Sequence, residues 1–172
     1  MARRSVRKYL DKLVEHEKLA LIAKCGINAP SAMNQQTWAV RVVENPDFIK
    51  GTTEIFKKEN PEQVKRDANF KNMYRNAPNI IVVACPKDDH YATLNVGLMG
   101  ENMMLAAQSL GLGTCCLGSA AMFLQRSEAY KPFIAQLRLP EGYEISYILA
   151  VGYPDEAPAA KPRDEGKIEF IK

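Results

Sequence analysis

The sequence predicts an α+β fold, a modest sheet with helices packed around it, on three observations. Asn79 to Cys85 is a short, continuous apolar run of the kind found in a strand buried on both faces. His90 to Leu110 carries apolar residues around so much of a helical circumference that it reads as a central buried helix. Two more strand-like stretches, Trp38–Glu44 and Tyr143–Val151, are separated from these by helical segments. With 172 residues and 47% hydrophobic content, the chain has the material for about one domain core.

Taken in order, residues 3 to 9 are polar and basic. A helix then fits Val14 to Asn28, because Leu19, Ile22, Ala23, Gly26 and Ile27 recur at helical spacing. It must stop at Ala29, since Pro30 disfavours helical geometry in the residue before it. Pro30 to Thr37 is a polar loop leading into the strand at 38–44, which Asn45-Pro46 ends. Residues 47 to 76 are charged and helical in two pieces, with a break at Asn60-Pro61. After the buried strand and the long helix, Gly111-Leu112-Gly113 caps the helix end. Thr114 to Gly118 is short and apolar, a further helix lies within Ala121 to Leu137, and the strand at 143–151 follows. Residues 154 to 166 hold three of the ten prolines and several charges, so this tail is extended over the surface or over another chain. Lys167 to Ile171 alternates apolar and polar, which fits a strand with one buried face. There is no internal repeat and no second domain, so residues 1–172 read as one unit.

Composition narrows the function. The net charge of +3 is mild, and the only tight basic cluster is Arg3, Arg4, Arg7 and Lys8, which argues against a nucleic-acid surface. No stretch approaches the ~20 apolar residues of a membrane span, and no apolar run follows the basic N-terminus as in a secretory signal. Four cysteines without a C-x-x-C pair, and two histidines without ligand spacing, make a metal site unexpected. Reduced thiols and a cytoplasmic location follow as the expectation.

Three separated segments carry groups suited to a planar ligand bearing phosphate. In Arg3-Arg4-Ser5-Val6-Arg7, extended backbone would point Arg3, Ser5 and Arg7 the same way, and guanidinium groups bind phosphate through paired, charge-assisted hydrogen bonds. In the loop Pro30 to Trp38, Asn34 and Gln36 each offer a donor and an acceptor for the edge of a heterocycle, and Ser31 would cap the loop or touch ligand. Gly111 to Ser119 is glycine-rich without being G-x-G-x-x-G, and it is not read as a strand leading into a helix. Its glycines would cap a helix and let backbone approach a flat ligand. Each segment alone has an ordinary structural explanation: a solvated terminus, a polar turn, a helix cap. Adjacent Cys115 and Cys116 form only a strained disulfide, so a redox dithiol is not expected.

Together, Arg-Arg-Ser-Val-Arg-Lys-Tyr at 3–9, Ala-Pro-Ser-Ala-Met-Asn-Gln-Gln-Thr-Trp at 29–38 and Gly-Leu-Gly-Thr-Cys-Cys-Leu-Gly at 111–118 resemble the nitroreductase family. Asn-Ala-Pro-Asn-Ile-Ile-Val-Val-Ala at 76–84 and Val-Gly-Tyr-Pro at 151–154 extend the resemblance over nearly the whole chain. It implies a central, mostly antiparallel sheet surrounded by helices, a homodimer with the C-terminal tail extended over the partner subunit, and bound FMN. Arg3, Arg4, Ser5 and Arg7 would hold the phosphate and ribityl end of FMN, with Lys161 and Arg163 as a further phosphate-contacting pair. Pro30, Ser31, Ala32, Asn34 and Gln36 would approach the same flavin from the other subunit. Leu117 and Gly118 would lie beside the isoalloxazine with a backbone N–H near its reactive nitrogen. An asparagine ahead of the buried strand is also expected, with Asn69 and Asn72 both candidates.

The implied activity is ping-pong hydride transfer from NADH or NADPH through flavin to a small electron-poor acceptor such as a nitroaromatic or a quinone. No side chain is required as a nucleophile. Alternatives are a specialised branch, reductive dehalogenation or flavin breakdown, and a flavin-binding protein without catalysis. Three departures stand out. The chain begins at Met1-Ala2 where relatives have a helical turn or two, Thr37 occupies a position that is commonly proline and implies a looser loop, and no helical insertion lines the substrate pocket.

Overall fold

The computed structural model describes residues 3–172. The start at Met1-Ala2, one of the three departures, lies outside them.

Four strands form one sheet: β1 (Ala39–Val43), β2 (Asn79–Pro86), β3 (Gly113–Leu117) and β4 (Tyr143–Gly152), in the order β1-β2-β4-β3 with every pair antiparallel. β2 holds the centre because it is β-branched and apolar on both faces. Ile80 and Val82 face one core, Ile81 and Val83 the other, and all four are fully buried. The helices divide between those faces. α1 (His16–Ile27) and α4 (Ala92–Ser109) cover one. The other lies under α2 (Pro46–Glu59) and α5 (Gly118–Arg126), flanked by the short α3 (Pro61–Lys65) and α6 (Lys131–Gln136).

Local chemistry sets the ends of these elements. The Asn45 side chain accepts the Asp47 N–H ahead of Pro46, and Lys57 and Lys58 stand at the negative end of α2. The expected break at Asn60-Pro61 is there, separating α2 from α3. Gly111 closes α4 with φ +73°, a left-handed conformation that glycine adopts without strain.

Four expectations need correction. β3 is legible in the sequence only as a short apolar stretch, yet it is an edge strand of the sheet, and it runs straight into α5. The helix expected within 121–137 is three pieces, because Ser127 is extended and its hydroxyl accepts the Ala129 N–H, giving the backbone an alternative to helix. α4 is not buried all round: Val96, Met99 and Met103 face the sheet, but Leu94, Leu98 and Leu105 are exposed. Lys167 to Ile171 forms no strand. Glu165–Lys167 is one turn of 3-10 helix, and Ile168, Phe170 and Ile171 are exposed, since the chain offers them no neighbouring strand.

No helix among the described residues is long and apolar enough to cross a membrane. Leu149 sits at the middle of β4 with no exposed surface, packed in the core under α1 and α4. Leu149→Ala should lower stability by about 3 kcal/mol, cavity term included, read as a drop in the denaturant midpoint at unchanged slope.

Candidate functional site

The N-terminal segment lies along the outer edge of β3. Ser5 bridges Thr114 in parallel, and the Val6 N–H donates to the Thr114 carbonyl at 2.9 Å. Val6 is buried against Gly113, where a Cβ would stand 2.8 Å from the Val6 side chain, so only glycine lets the segment seat. Val6 inward and Arg7 outward is the alternation expected of extended backbone.

Chain leaving β4 fastens the same segment. Leu10 N–H donates to the Tyr153 carbonyl and Asp155 N–H to the Lys8 carbonyl, each at 2.9 Å, and the Glu156 carboxylate accepts the Arg7 N–H. The two ends of the fold therefore meet. Tyr153 secures the join: its hydroxyl donates to the Glu15 carboxylate at 2.6 Å and accepts from Lys18 Nζ at 2.7 Å, with Lys12 Nζ 4.2 Å from the ring centre. The Tyr153 hydroxyl first, then a hydrogen bond from the Glu15 backbone, and then Lys18, hold the Glu15 carboxyl down at about 2. A carboxyl lowered in the folded state stabilises above its ordinary value of 4.5, and that contribution disappears as pH falls toward 2. Amide-exchange protection at Leu10 and Asp155 should therefore decline across that window, and Glu15→Gln should flatten the decline.

The Arg3, Arg4 and Arg7 side chains have different partners. Arg3 Nε donates to Glu101 Oε1 on α4 at 3.0 Å, and an Arg4 terminal nitrogen donates to the Arg3 carbonyl at 2.8 Å. Among the described residues, Arg4, Arg7 and Arg75 form no ion pair. Burial pushes the Cys115 thiol up, while Arg7 and Arg75 pull it down and the Glu156 carboxylate pushes it up. The neighbouring Cys116 is also pushed up by burial, and all four cysteines are free.

Arg75 was not singled out from the sequence. It stands with Asn76 in left-handed backbone, φ +59° and +61°, a conformation that costs energy for a non-glycine residue. Asn76 supports the turn: its Oδ1 accepts the Lys71 and Asn72 N–H groups at 2.8 and 3.0 Å, and its Nδ2 donates to the Asn69 carbonyl. The turn sends Asn72 and Arg75 to the wall of an open cavity of about 160 Å³. Of the two candidate asparagines, Asn72 is in that wall and Asn69 is not. The only sequence signal for Arg75 was a guanidinium in a polar turn ahead of a buried strand.

Leu117 and Ser119 line the same cavity, and Phe56, Phe70 and Phe123 give it an aromatic side. Phe56 stacks on Phe70 at 5.8 Å and meets Phe123 edge-on at 4.9 Å. Gly118 begins α5, whose first N–H groups have no side-chain cap, and a Cβ at Gly118 would meet no atom within 4 Å. The glycine-rich run is thus a helix cap, a strand and a helix start, contrary to the reading that no strand leads into a helix there.

Residues 30–36 are elsewhere. None lines the cavity; the loop sits over the first turns of α4, where the Asn95 Oδ1 accepts the Ala32 N–H at 3.0 Å. Ser31 Oγ accepts the Gln36 N–H at 2.9 Å and so caps the loop. Thr37 does not loosen it: its hydroxyl donates to Asp89 at 2.8 Å and accepts from Asn95 at 3.2 Å. Lys161 and Arg163 are exposed, and Arg163 donates only to the nearby carbonyls of residues 161 and 162, so the chain does not bring this pair to the N-terminal segment. Among the described residues, no three His, Cys, Asp or Glu side chains are grouped to hold a metal ion.

Residues 1–153 match the model of the Nitroreductase family. A protein of Archaeoglobus fulgidus, provisionally named NADH dehydrogenase/NAD(P)H nitroreductase, is 32% identical over 159 residues, covering 90% of this chain and 82% of its own. The iodotyrosine deiodinase of Thermotoga neapolitana is 26% identical, over 98% of this chain and 93% of its own. Among solved structures, an FMN-bound nitroreductase of Bacteroides fragilis superposes with a TM-score of 0.85 at 26% identity, covering 99% of this chain and 95% of that one.

Proposed function

This chain belongs to the nitroreductase family, and from that premise we propose that it reduces small electron-poor molecules, nitroaromatics and quinones among them, as a homodimer with FMN between its two copies. It is an FMN-dependent NAD(P)H oxidoreductase, and FMN when bound supplies the hydride chemistry. The observation that carries the reading is the cavity walled by Asn72, Arg75, Leu117 and Ser119, with Phe56, Phe70 and Phe123 on one side, at a strand–helix junction left open at Gly118. The Arg75 guanidinium, which forms no ion pair among the described residues, the uncapped helix N–H groups and the open space over a glycine fit a flat group carrying negative charge.

Arg3, Arg4, Ser5 and Arg7 bind the phosphate and ribityl end. Asn72 and Arg75 face the polar edge of the ring, and the N–H groups at Leu117-Gly118 stabilise negative charge near its reactive nitrogen. Phe56, Phe70 and Phe123 exclude water on the acceptor side. No side chain of this set has to act as a nucleophile. Pro30, Ser31, Ala32, Asn34 and Gln36 reach the flavin of the second copy, and Lys161 and Arg163 join a phosphate site only when the tail crosses to that copy.

Three features support the dimer. The loop 30–36 lies away from the cavity of its own chain. Leu94, Leu98 and Leu105 leave one side of α4 apolar and uncovered, and Leu21 extends that face onto α1. Ile168, Phe170 and Ile171 end the chain with no apolar surface to meet. Residues 1–172 act as one FMN-binding unit.

A second reading, reductive dehalogenation, is favoured by the similarity to the deiodinase along almost the whole chain. Flavin absorbance of the purified protein, before and after incubation with FMN, tests the cofactor. Anaerobic bleaching by NADH or NADPH, followed by reoxidation with a nitroaromatic, a quinone or a halogenated phenol, separates the two readings. A protein that takes up no flavin overturns both, and a flavin that nicotinamide never bleaches overturns the first.

A further inference from the structure

The loop 30–36 holds a shape it would not keep unaided. Met33, Asn34 and Gln36 have φ of +51°, +54° and +52°, three side-chain-bearing residues in left-handed backbone within four positions. Such strain persists only where surrounding structure imposes it. We propose that Asp89 and Asn95 are positioning residues that impose it, holding both ends of the loop against the start of α4 through the Thr37 hydroxyl and the Ala32 amide. The proposal rests on the FMN reading, in which this loop serves the flavin of the second copy.

The hydrogen bonds run in one direction. The Ala32 N–H can only donate, so Asn95 must turn its Oδ1 toward it, at 3.0 Å. That orientation aims the Asn95 Nδ2 at Thr37 Oγ1, at 3.2 Å, and the Thr37 hydroxyl is left to donate its proton to Asp89 Oδ2 at 2.8 Å. The other Asp89 oxygen accepts the Tyr91 N–H at 2.9 Å, which ties the carboxylate to the entry of α4. Asn95 is 1% exposed, and each of its amide atoms has a partner in this chain of bonds. The Thr37 hydroxyl, and then the Tyr91 amide, hold the Asp89 carboxyl below the usual carboxylate range, so the acceptor stays ionised at neutral pH.

The arrangement places chemistry as well as backbone. Within the loop, Gln36 Nε2 donates to Asn34 Oδ1 at 3.2 Å. This leaves Asn34 Nδ2 as a donor and Gln36 Oε1 as an acceptor, both on exposed residues. α4 also carries the uncovered Leu94, Leu98 and Leu105, so the loop is referenced to the face that a second copy would cover. Thr37, in place of a stiff residue, therefore couples the loop to that face by hydrogen bonds.

Thr37→Val removes the hydroxyl at nearly constant shape, and Thr37→Ser restores it. Two readouts are needed: amide exchange of residues 31–37 in flavin-free protein, and the FMN dissociation constant. Thr37→Val should exchange faster at Ala32 to Gln36 and bind FMN roughly tenfold more weakly, the effect of about one hydrogen bond. Thr37→Ser should match the parent in both, and Asp89→Ala should resemble Thr37→Val. Unchanged exchange in Thr37→Val, faster exchange with unchanged FMN affinity, or a serine variant as impaired as the valine one overturns the positioning role. A parent that binds no FMN, while Thr37→Val still loosens the loop, overturns the flavin reading instead.

Discussion

Leu98→Glu is expected to split the protein into single chains that retain no flavin. Leu94, Leu98 and Leu105 recur at helical spacing on the side of α4 turned away from the sheet, and Leu98 is 41% exposed. In a two-fold interface the substitution occurs twice, and a desolvated, unpaired carboxylate costs several kcal/mol per ion. That is enough to defeat an interface of ordinary size. The fold of each chain should survive, because Val96, Met99 and Met103 on the opposite side of α4 make the core contacts. Separation would remove residues 30–36 and the partner's tail from each flavin together. Light scattering should return the mass of one chain, with near-parental circular dichroism and no flavin absorbance. A two-chain mass with flavin bound would refute the assignment of α4 to the interface.

Arg7→Ala is expected to weaken FMN binding by roughly 10- to 100-fold, since a hydrogen bond to a charged group contributes roughly 1.5–3 kcal/mol. Arg7 is exposed, its backbone is already fastened by Glu156, and among the described residues its side chain makes one hydrogen bond, to the Ser5 carbonyl at 3.2 Å. Removing it should therefore leave the segment seated on β3. Riboflavin, which lacks the phosphate, should bind the parent more weakly than FMN does and distinguish little between parent and variant. Arg163→Ala should act in the same direction with a smaller effect, and only in the dimer. If Arg7→Ala binds FMN as tightly as the parent, Arg7 is not a phosphate ligand.

What the sequence determined by itself was whatever depends on neighbours along the chain. The spacing of Leu19, Ile22 and Gly26 predicted α1, the unbroken run from Asn79 predicted β2, and Asn60-Pro61 marked the gap between α2 and α3. The order of the three motifs, which lies wholly in the sequence, points to the family that residues 1–153 match. Local rules failed where one residue changed the outcome or a segment was very short. Ser127 divides a helix that periodicity would have continued, and β3 has five residues, too few to show a period. α4 looked central because both its sides are apolar, yet only packing distinguishes the side against the sheet from the side left open. The tertiary structure alone decided which groups of the site meet. Arg75 and Asn72, rather than Asn69, reach the cavity, because a turn braced by Asn76 adopts left-handed backbone that the residue type of Arg75 does not announce. Arg3 finds Glu101 across 98 positions, and Thr37 finds Asp89 and Asn95 across 52 and 58. Pairings over such distances depend on how the elements pack against the sheet, and no period or turn signal within a segment encodes that.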